Sequence, residues 1–392
     1  MNAIAAAQTF MRQQHIDAWL VYDFRGNNPV LAQLVPGKRW TTRRALLLVP
    51  ADGEPTLLAH GIDRAQFESA TVKKEVYLSW RDLIAWLANH LEGRARVAME
   101  YAPGGTLPVA SIVDAGTVEL IRALGVEVVS SANLVQTSVA VWSPEVCAAH
   151  EAACAAVGRT KDGAFDLIRQ RVAANQPINE YEVQQAIMQA FAAAKLETTE
   201  PPIVAVNAHS GDPHFEPSAK SPAPIRRGDW VLIDLWARQP GEENVYSDIT
   251  WVGFVGRDVP AKHRAVFNMV KAARDASLAC AVNAWKAKQP VQGWQLDRAA
   301  SDTIKNAGYE QYIRHRTGHS LSPGPLVHGL GMNLDDLETH DTRAMLPGLG
   351  FTIEPGIYLP EFGVRLEIDV FVDPQRGPRP TSGLQDDIIL LA

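Results

Sequence analysis

Cysteine is scarce in this chain, with three in 392 residues. Cys147, Cys154 and Cys280 are odd in number and lack a metal-binding spacing, which argues against a disulfide framework or a cysteine-based zinc module. Cys147 and Cys154 fall seven apart in an alanine-rich helical stretch and read as reduced core thiols. Basic runs are short, none longer than Arg43-Arg44 or Arg226-Arg227, and 37 basic against 44 acidic residues leave a net charge of −7. A nucleic-acid or anionic-membrane partner calls for a basic stripe, so neither is expected. No apolar run of about 18 residues is available to span a bilayer. Met1 to Gln8 is only briefly apolar and has no positive leader, so a secretory signal is disfavoured and a cytoplasmic location is expected. A Gly-rich phosphate loop is missing as well: Pro103-Gly104-Gly105 lacks the G-x-G-x-x-G spacing and a Walker lysine.

What remains is an ordinary globular composition. Hydrophobic residues make up 46% and charged residues 21%, enough to bury a sizeable core and too apolar for disorder. The length allows roughly two or three domains. Over residues 1–143 helical patterns alternate with short apolar runs: helices over 3–14, 83–90 and 109–124, strands over 18–22, 45–49, 97–100 and 126–129. That alternation predicts an α/β domain with a largely parallel sheet. Ser143-Pro144 is a helix-start signal and sets the domain boundary. Beyond it, helical patterns at 145–172 and 179–194 precede strand-like runs at 203–206, 230–235 and 249–255. Helices at 261–287 and 295–307 then precede strand-like segments around the histidine run 315–319, at 350–353 and at 364–372. Helix, helix, then strands thus occurs twice, which suggests an internal repeat.

Five residues in strand-like segments carry the chemistry. Asp234 lies in Leu232-Ile-Asp-Leu235 and Asp248 in Tyr246-Ser-Asp-Ile-Thr250. His319 lies in His315-Arg-Thr-Gly-His-Ser320, Glu354 in Thr352-Ile-Glu-Pro-Gly-Ile-Tyr358, and Glu367 in Val364-Arg-Leu-Glu-Ile-Asp369. Carboxylates with a single imidazole suit hard or borderline divalent ions such as Mn, Co or Zn. Four carboxylates gathered without cations would repel and raise one another's pKa values. Two divalent ions supply four positive charges against those four negative ones.

In their order and context these five motifs resemble the signature of the pita-bread metallopeptidases, the family of aminopeptidase P, prolidase and methionine aminopeptidase. The likeness covers about residues 144–392, and a leading α/β domain of this size is similar to the prolidase and aminopeptidase P branch. The resemblance implies an α/β N-terminal domain (1–143) followed by an α+β pita-bread catalytic domain (144–392) with an internal pseudo-twofold repeat. It also implies a homodimer and a two-metal hydrolase that cleaves Xaa-Pro bonds in dipeptides or short peptides. By that likeness Asp248 and Glu367 bridge the ions, Asp234 chelates one, and His319 and Glu354 complete the other. Glu354 is the candidate proton carrier at the attacking water. His214, in Asp212-Pro-His-Phe215, matches the histidine that contacts substrate and shuttles protons, and His328 matches the one that meets substrate or oxyanion. Tyr358 and Arg365 match a tyrosine after the Glu-Pro-Gly turn and an arginine two before the last glutamate. The period of two puts Arg365 and Glu367 on one strand face, where they could pair. His209 and His315 have no such match and read as structural or pocket-wall residues.

The chain departs from the pattern in three places. The nine-residue step from His319 to His328 is wider than the common one and Gly329 replaces a frequent acidic residue; the fourteen-residue step from Asp234 to Asp248 is also long, with Trp251 where an arginine is common; and Ile368 replaces an acidic residue after Glu367. Within the resemblance an Xaa-Pro dipeptidase is the first reading and an aminopeptidase P acting on longer peptides the second. A creatinase-like hydrolase without metals and a non-catalytic pita-bread binding protein are disfavoured, because all five ligands are present.

Overall fold

A computed structural model describes residues 3–35 and 40–391. It divides into two compact units, Met1–Val141 with Pro323–Pro325, and Trp142–Ser322 with Leu326–Ala392.

The first unit runs α1 (Ala3–Gln14), β1 (Ala18–Phe24), α2 (Pro29–Leu34), β2 (Arg44–Pro50), β3 (Thr56–His60), β4 (Lys73–Tyr77), α3 (Trp80–Leu91), β5 (Arg96–Met99), α4 (Ala115–Ala123), β6 (Glu127–Ser130) and α5 (Ala132–Ser138). Six strands form one sheet in the order β4-β3-β2-β1-β5-β6. The β3–β4, β1–β5 and β5–β6 pairs are parallel, whereas β1–β2 and β2–β3 are antiparallel, so the sheet is mixed where a largely parallel one was expected. The link from Pro50 to Thr56 is too short for a crossover and allows only a hairpin. Leu20, Leu46, Leu48 and Leu58 on the sheet pack against Leu83 and Leu87 of α3 and Val118 and Ile121 of α4. The helix expected from residue 109 begins at Ala115. Pro108 opens only a short 3-10 turn, and Asp114 caps the true start by accepting from Thr117 N at 2.9 Å.

The second unit runs α6 (Pro144–Ala173), α7 (Glu180–Ala193), β7 (Ile203–Val206), β8 (Trp230–Ala237), β9 (Ser247–Phe254), α8 (Ala261–Ala287), α9 (Gly293–Asn306), β10 (Ser320–Leu321), β11 (Gly350–Ile353), β12 (Gly356–Tyr358), β13 (Gly363–Arg365), β14 (Ile368–Asp373), β15 (Gly377–Pro380) and β16 (Ile389–Leu390). Ser143 caps α6 by accepting from Val146 N at 3.3 Å, and Asn179 with Glu182 forms a capping box on α7. One sheet has the order β16-β9-β8-β7 and the other β10-β11-β14-β15, with β12 and β13 as a separate hairpin. Val157, Phe165, Ile168, Val183 and Ile187 of α6 and α7 pack on Val204, Val231 and Ile233 of the first sheet. Ala281 and Leu296 of α8 and α9 pack on Phe351, Ile353, Val370 and Val372 of the second. A helix pair on a sheet therefore occurs twice, as the pattern predicted.

The strand at the histidine run is only Ser320–Leu321, but its pairing extends backwards: Thr352 N donates to His319 O at 2.9 Å and Glu354 N to Thr317 O at 2.7 Å. Between these bonds sits Gly318, where a Cβ would lie 2.1 Å from Thr352 O, so only glycine lets the His319 backbone approach β11 this closely. Gly318→Ala is expected to cost about 1 to 3 kcal/mol by overpacking. Gly158→Ala, in the middle of α6 with open space at its Cβ position, should instead be neutral or stabilising. Urea denaturation of both variants checks this, and a Gly318→Ala protein as stable as the parent would contradict the close approach.

Candidate metal centre

Strand register brings the acidic residues to one face. Asp234 pairs with Thr250 across β8 and β9, and Asp248 lies two residues before Thr250, so all three side chains point the same way. Across β11 and β14, Thr352 pairs with Asp369 and Ile353 with Ile368; one step further along stand Glu354 and Glu367. Ligand atoms of Asp248, His319 and Glu367 lie within 4.8 Å of one another. His319 Nε2 is 3.5 Å from both Asp248 Oδ2 and Glu354 Oε1. Asp234 joins through an ion pair with Arg365, whose Nε is 4.0 Å from Glu354 Oε2. All five residues singled out in the sequence thus meet. Asp234, Asp248, His319 and Glu367 are buried, and Glu354 keeps an edge to solvent.

The electrostatics of this cluster are those of a site short of positive charge. Burial, then repulsion from Asp234 and Glu354, pushes the Asp248 carboxyl well above the usual range. Burial, then Asp248, does the same to Glu367. Burial is also the main cause that lifts Glu354 to about 7. His319 is held well below its ordinary value by burial, so its ring is neutral. Its Nδ1 lies 3.1 Å from Ser320 O and donates there, which turns the Nε2 lone pair towards two carboxylates. A lone pair and carboxylate oxygens that face one another need a proton or a cation between them, and Asp234 Oδ1 is buried with no hydrogen-bond partner. The donor set and its orientation therefore fit divalent metal binding.

Around these donors a hydrogen-bonded chain fixes Asp234. Arg365 Nη1 donates to Tyr358 Oη at 3.0 Å, Tyr358 Oη lies 2.6 Å from His315 Nε2, and His315 Nδ1 lies 2.7 Å from Arg316 O. The carbonyl makes Nδ1 the protonated nitrogen, so Nε2 accepts from the tyrosine. Burial keeps His315 neutral, down to about 3, and raises Tyr358 to about 12. One sequence reading is corrected here. Arg365 and Glu367 do share a face, since both meet Thr250 Oγ1, but the guanidinium ion-pairs with Asp234 and lies near Glu354 instead of pairing with Glu367. His315, read as a structural or pocket-wall residue, belongs to the network that orients Asp234; its partner Tyr358 is 43 residues away, beyond any local pattern. Glu367 instead accepts from Thr250 Oγ1 at 2.8 Å, a contact that only the pairing of the two sheets reveals.

The other histidines separate clearly. His209 Nδ1 is 2.9 Å from the buried Glu180 and its ring stacks on Phe215, a structural arrangement. His328 packs against His319 with ring centroids 3.9 Å apart and the ring planes tilted by 31°. His214 is exposed and lies near enough to His315 and His328 to act on both electrostatically. Trp251, the residue at the family's arginine position, carries Lys161 Nζ 3.5 Å from its ring centre.

Two sheets, each backed by a helix pair, with carboxylates and one imidazole converging between them, define a pita-bread fold with a candidate metal centre. The chain belongs to metallopeptidase family M24, whose model matches residues 145–374. YkvY of Bacillus subtilis, provisionally named a dipeptidase, is 35% identical over 182 residues, 46% of this chain and 45% of that protein. The Xaa-Pro dipeptidase of Pyrococcus furiosus is 32% identical over 183 residues, 46% of each chain. The matches span a little under half the length of these relatives. Over 99% of this chain and 97% of the other, the fold follows the crystal structure of dipeptidase PepE from Mycobacterium ulcerans, with a TM-score of 0.76 at 23% identity. Among the described residues no helix is long and apolar enough to cross a membrane.

The raised carboxyls predict how the chelated protein responds to pH. Folded Asp248, Glu354 and Glu367 hold protons that the unfolded chain releases, so their contribution is present at low pH and is lost from the unfolded carboxyl values of about 4 up to the raised folded ones, about 7 for Glu354 and well above the usual range for the other two. Buried His315, His319 and His328 act in the opposite sense, but only below their unfolded value of about 6.5. Between pH 6.5 and 8.5 the metal-free protein should therefore lose roughly 1.4 kcal/mol per pH unit for each proton that the folded cluster still holds and the unfolded chain has given up. Thermal melts with chelator and with Mn(II) check this: the loss should appear with chelator and vanish with the ion, and a flat chelated profile would contradict the cluster's charge.

Proposed function

We propose that this chain is a hydrolase of Xaa-Pro dipeptides that works with two divalent ions of the Mn, Co or Zn type. The observation that carries the reading is the gathering of Asp234, Asp248, Glu354 and Glu367 around a neutral imidazole whose free lone pair faces Asp248 and Glu354. Membership of family M24 and the dipeptidase names of two relatives support it. The proposal includes a domain division at 143/144, set by the helix start at Ser143-Pro144, and a homodimer, by resemblance to prolidases.

Asp234, Asp248, His319, Glu354 and Glu367 would hold the ions. Ions bound there lower the pKa of an attacking water and polarise the scissile carbonyl. Glu354 is the donor with an edge to solvent, which supports assigning to it the proton of that water. The Arg365–Tyr358–His315 chain orients Asp234. His328, packed against His319 and exposed, is the residue we assign to the substrate carbonyl. Cleavage before proline expels a secondary amine that needs a proton, and His214 is the acid we assign to it.

Hydrolysis of a Xaa-Pro dipeptide beside a Xaa-Pro-Yaa tripeptide tests the reading. The dipeptide should be the better substrate, activity should disappear on chelation, and Mn, Co or Zn should restore it. Preference for the tripeptide would point to an aminopeptidase, and no turnover of either with metals bound would point to a binding protein. In the same assay His214→Ala should lower kcat by roughly 10² to 10⁴-fold with both ions retained. His209→Ala, remote from the donors and paired with Glu180, should do far less. The reverse order would show that the proton donor is misassigned.

A further inference from the structure

We infer that the chain holds a second, separate metal site at His150, Cys154 and Asp369, suited to one borderline ion of the zinc(II) type. His150 and Cys154 lie one turn apart on α6, and Asp369 projects from β14. Their donor atoms converge: Cys154 Sγ is 3.2 Å from His150 Nε2 and 3.4 Å from Asp369 Oδ2, and Nε2 is 4.0 Å from Oδ2. A tetrahedral zinc ion with ordinary bond lengths to sulfur, imidazole and carboxylate sets such donors about 3.4 to 3.6 Å apart. The three separations bracket that range. All three residues are buried, and Cys154 is a free cysteine.

The chemistry of the set selects the ion. One thiolate, one carboxylate and a neutral imidazole balance a single divalent charge, and sulfur with nitrogen favours zinc or cobalt over magnesium, calcium or manganese. Binding replaces the Cys154 S–H bond by a metal–sulfur bond and releases that proton to solvent. A fourth donor is at hand in Thr381 Oγ1, 2.8 Å from His150 Nε2, or Ser247 Oγ, 2.9 Å from Asp369 Oδ2. The other oxygen of Asp369 accepts from Asp248 N at 3.0 Å. An ion here would tie α6 to β14 and hold the backbone of Asp248 without touching substrate, which makes the site structural.

Sulfur makes the site distinguishable from the carboxylate cluster, none of whose five donors contains it. The full-length chain is stripped with chelator, saturated with Co(II), and read in the near ultraviolet for the thiolate-to-cobalt charge-transfer band. One thiolate-bound cobalt per chain is expected, lost in Cys154→Ser and kept in Cys147→Ser and Cys280→Ser. Near-ultraviolet circular dichroism of Cys154→Ser checks that loss of the band is not loss of the fold. Absence of the band from the cobalt-saturated parent, whether or not cobalt fills the carboxylate cluster, would overturn the proposal and leave a hydrogen-bonded thiol–imidazole–carboxylate cluster. So would a band that persists in Cys154→Ser.

Discussion

The contact between β9 and β14 is the interaction on which the second unit depends. Glu367 N donates to Thr250 O at 3.2 Å while Thr250 Oγ1 donates to Glu367 at 2.8 Å, and Asp248 N and Ser247 Oγ both donate to Asp369. These bonds join the sheet of the first repeat to that of the second, and each involves a proposed ligand or its immediate neighbour. A change that loosens the junction would separate Asp248 from Glu367 directly. Fold stability and site geometry are therefore one constraint: the seam that closes the protein also sets the spacing of its donors.

That economy has an electrostatic cost. Placing carboxylates from both sheets at one buried seam drives their protonation equilibria upward, as burial and mutual repulsion do to Asp248, Glu354 and Glu367. Arg365 offsets part of this through Asp234 and is itself held by Tyr358 and, through it, His315. One guanidinium cannot balance four carboxylates, and His319 contributes no charge because its ring is neutral. The unbalanced negative charge is the physical reason to assign divalent cations to the seam.

Much of this was legible in the sequence, for identifiable reasons. Asp234 and Asp248 sit in apolar strand runs, and Glu354 and Glu367 flank a glycine-marked hairpin, so each ligand carries a local signature. Helix starts at Pro144 and Glu180 were written by Ser143-Pro144 and by Asn179 with Glu182. Failures came where long-range pairing outweighs local pattern. The pairing of Arg365 with Asp234 spans 131 residues, and that of His315 with Tyr358 spans 43. β4 escaped notice because Lys73, Lys74 and Glu75 make it an edge strand rich in charge. Cys154 reads as a reduced core thiol from cysteine spacing, and it is free and buried. His150, four residues before it on α6, is the local sequence signal for the site inferred there.

The central claim is that two divalent ions balance the carboxylates at the seam between the repeats. Crystals grown with Mn(II), measured at the manganese edge, test it without reference to turnover. The account predicts two anomalous peaks among Asp234, Asp248, His319, Glu354 and Glu367, about 3.5 to 4 Å apart. A map with no peak there, or with a single ion and the remaining carboxyls hydrogen-bonded to one another, would contradict it.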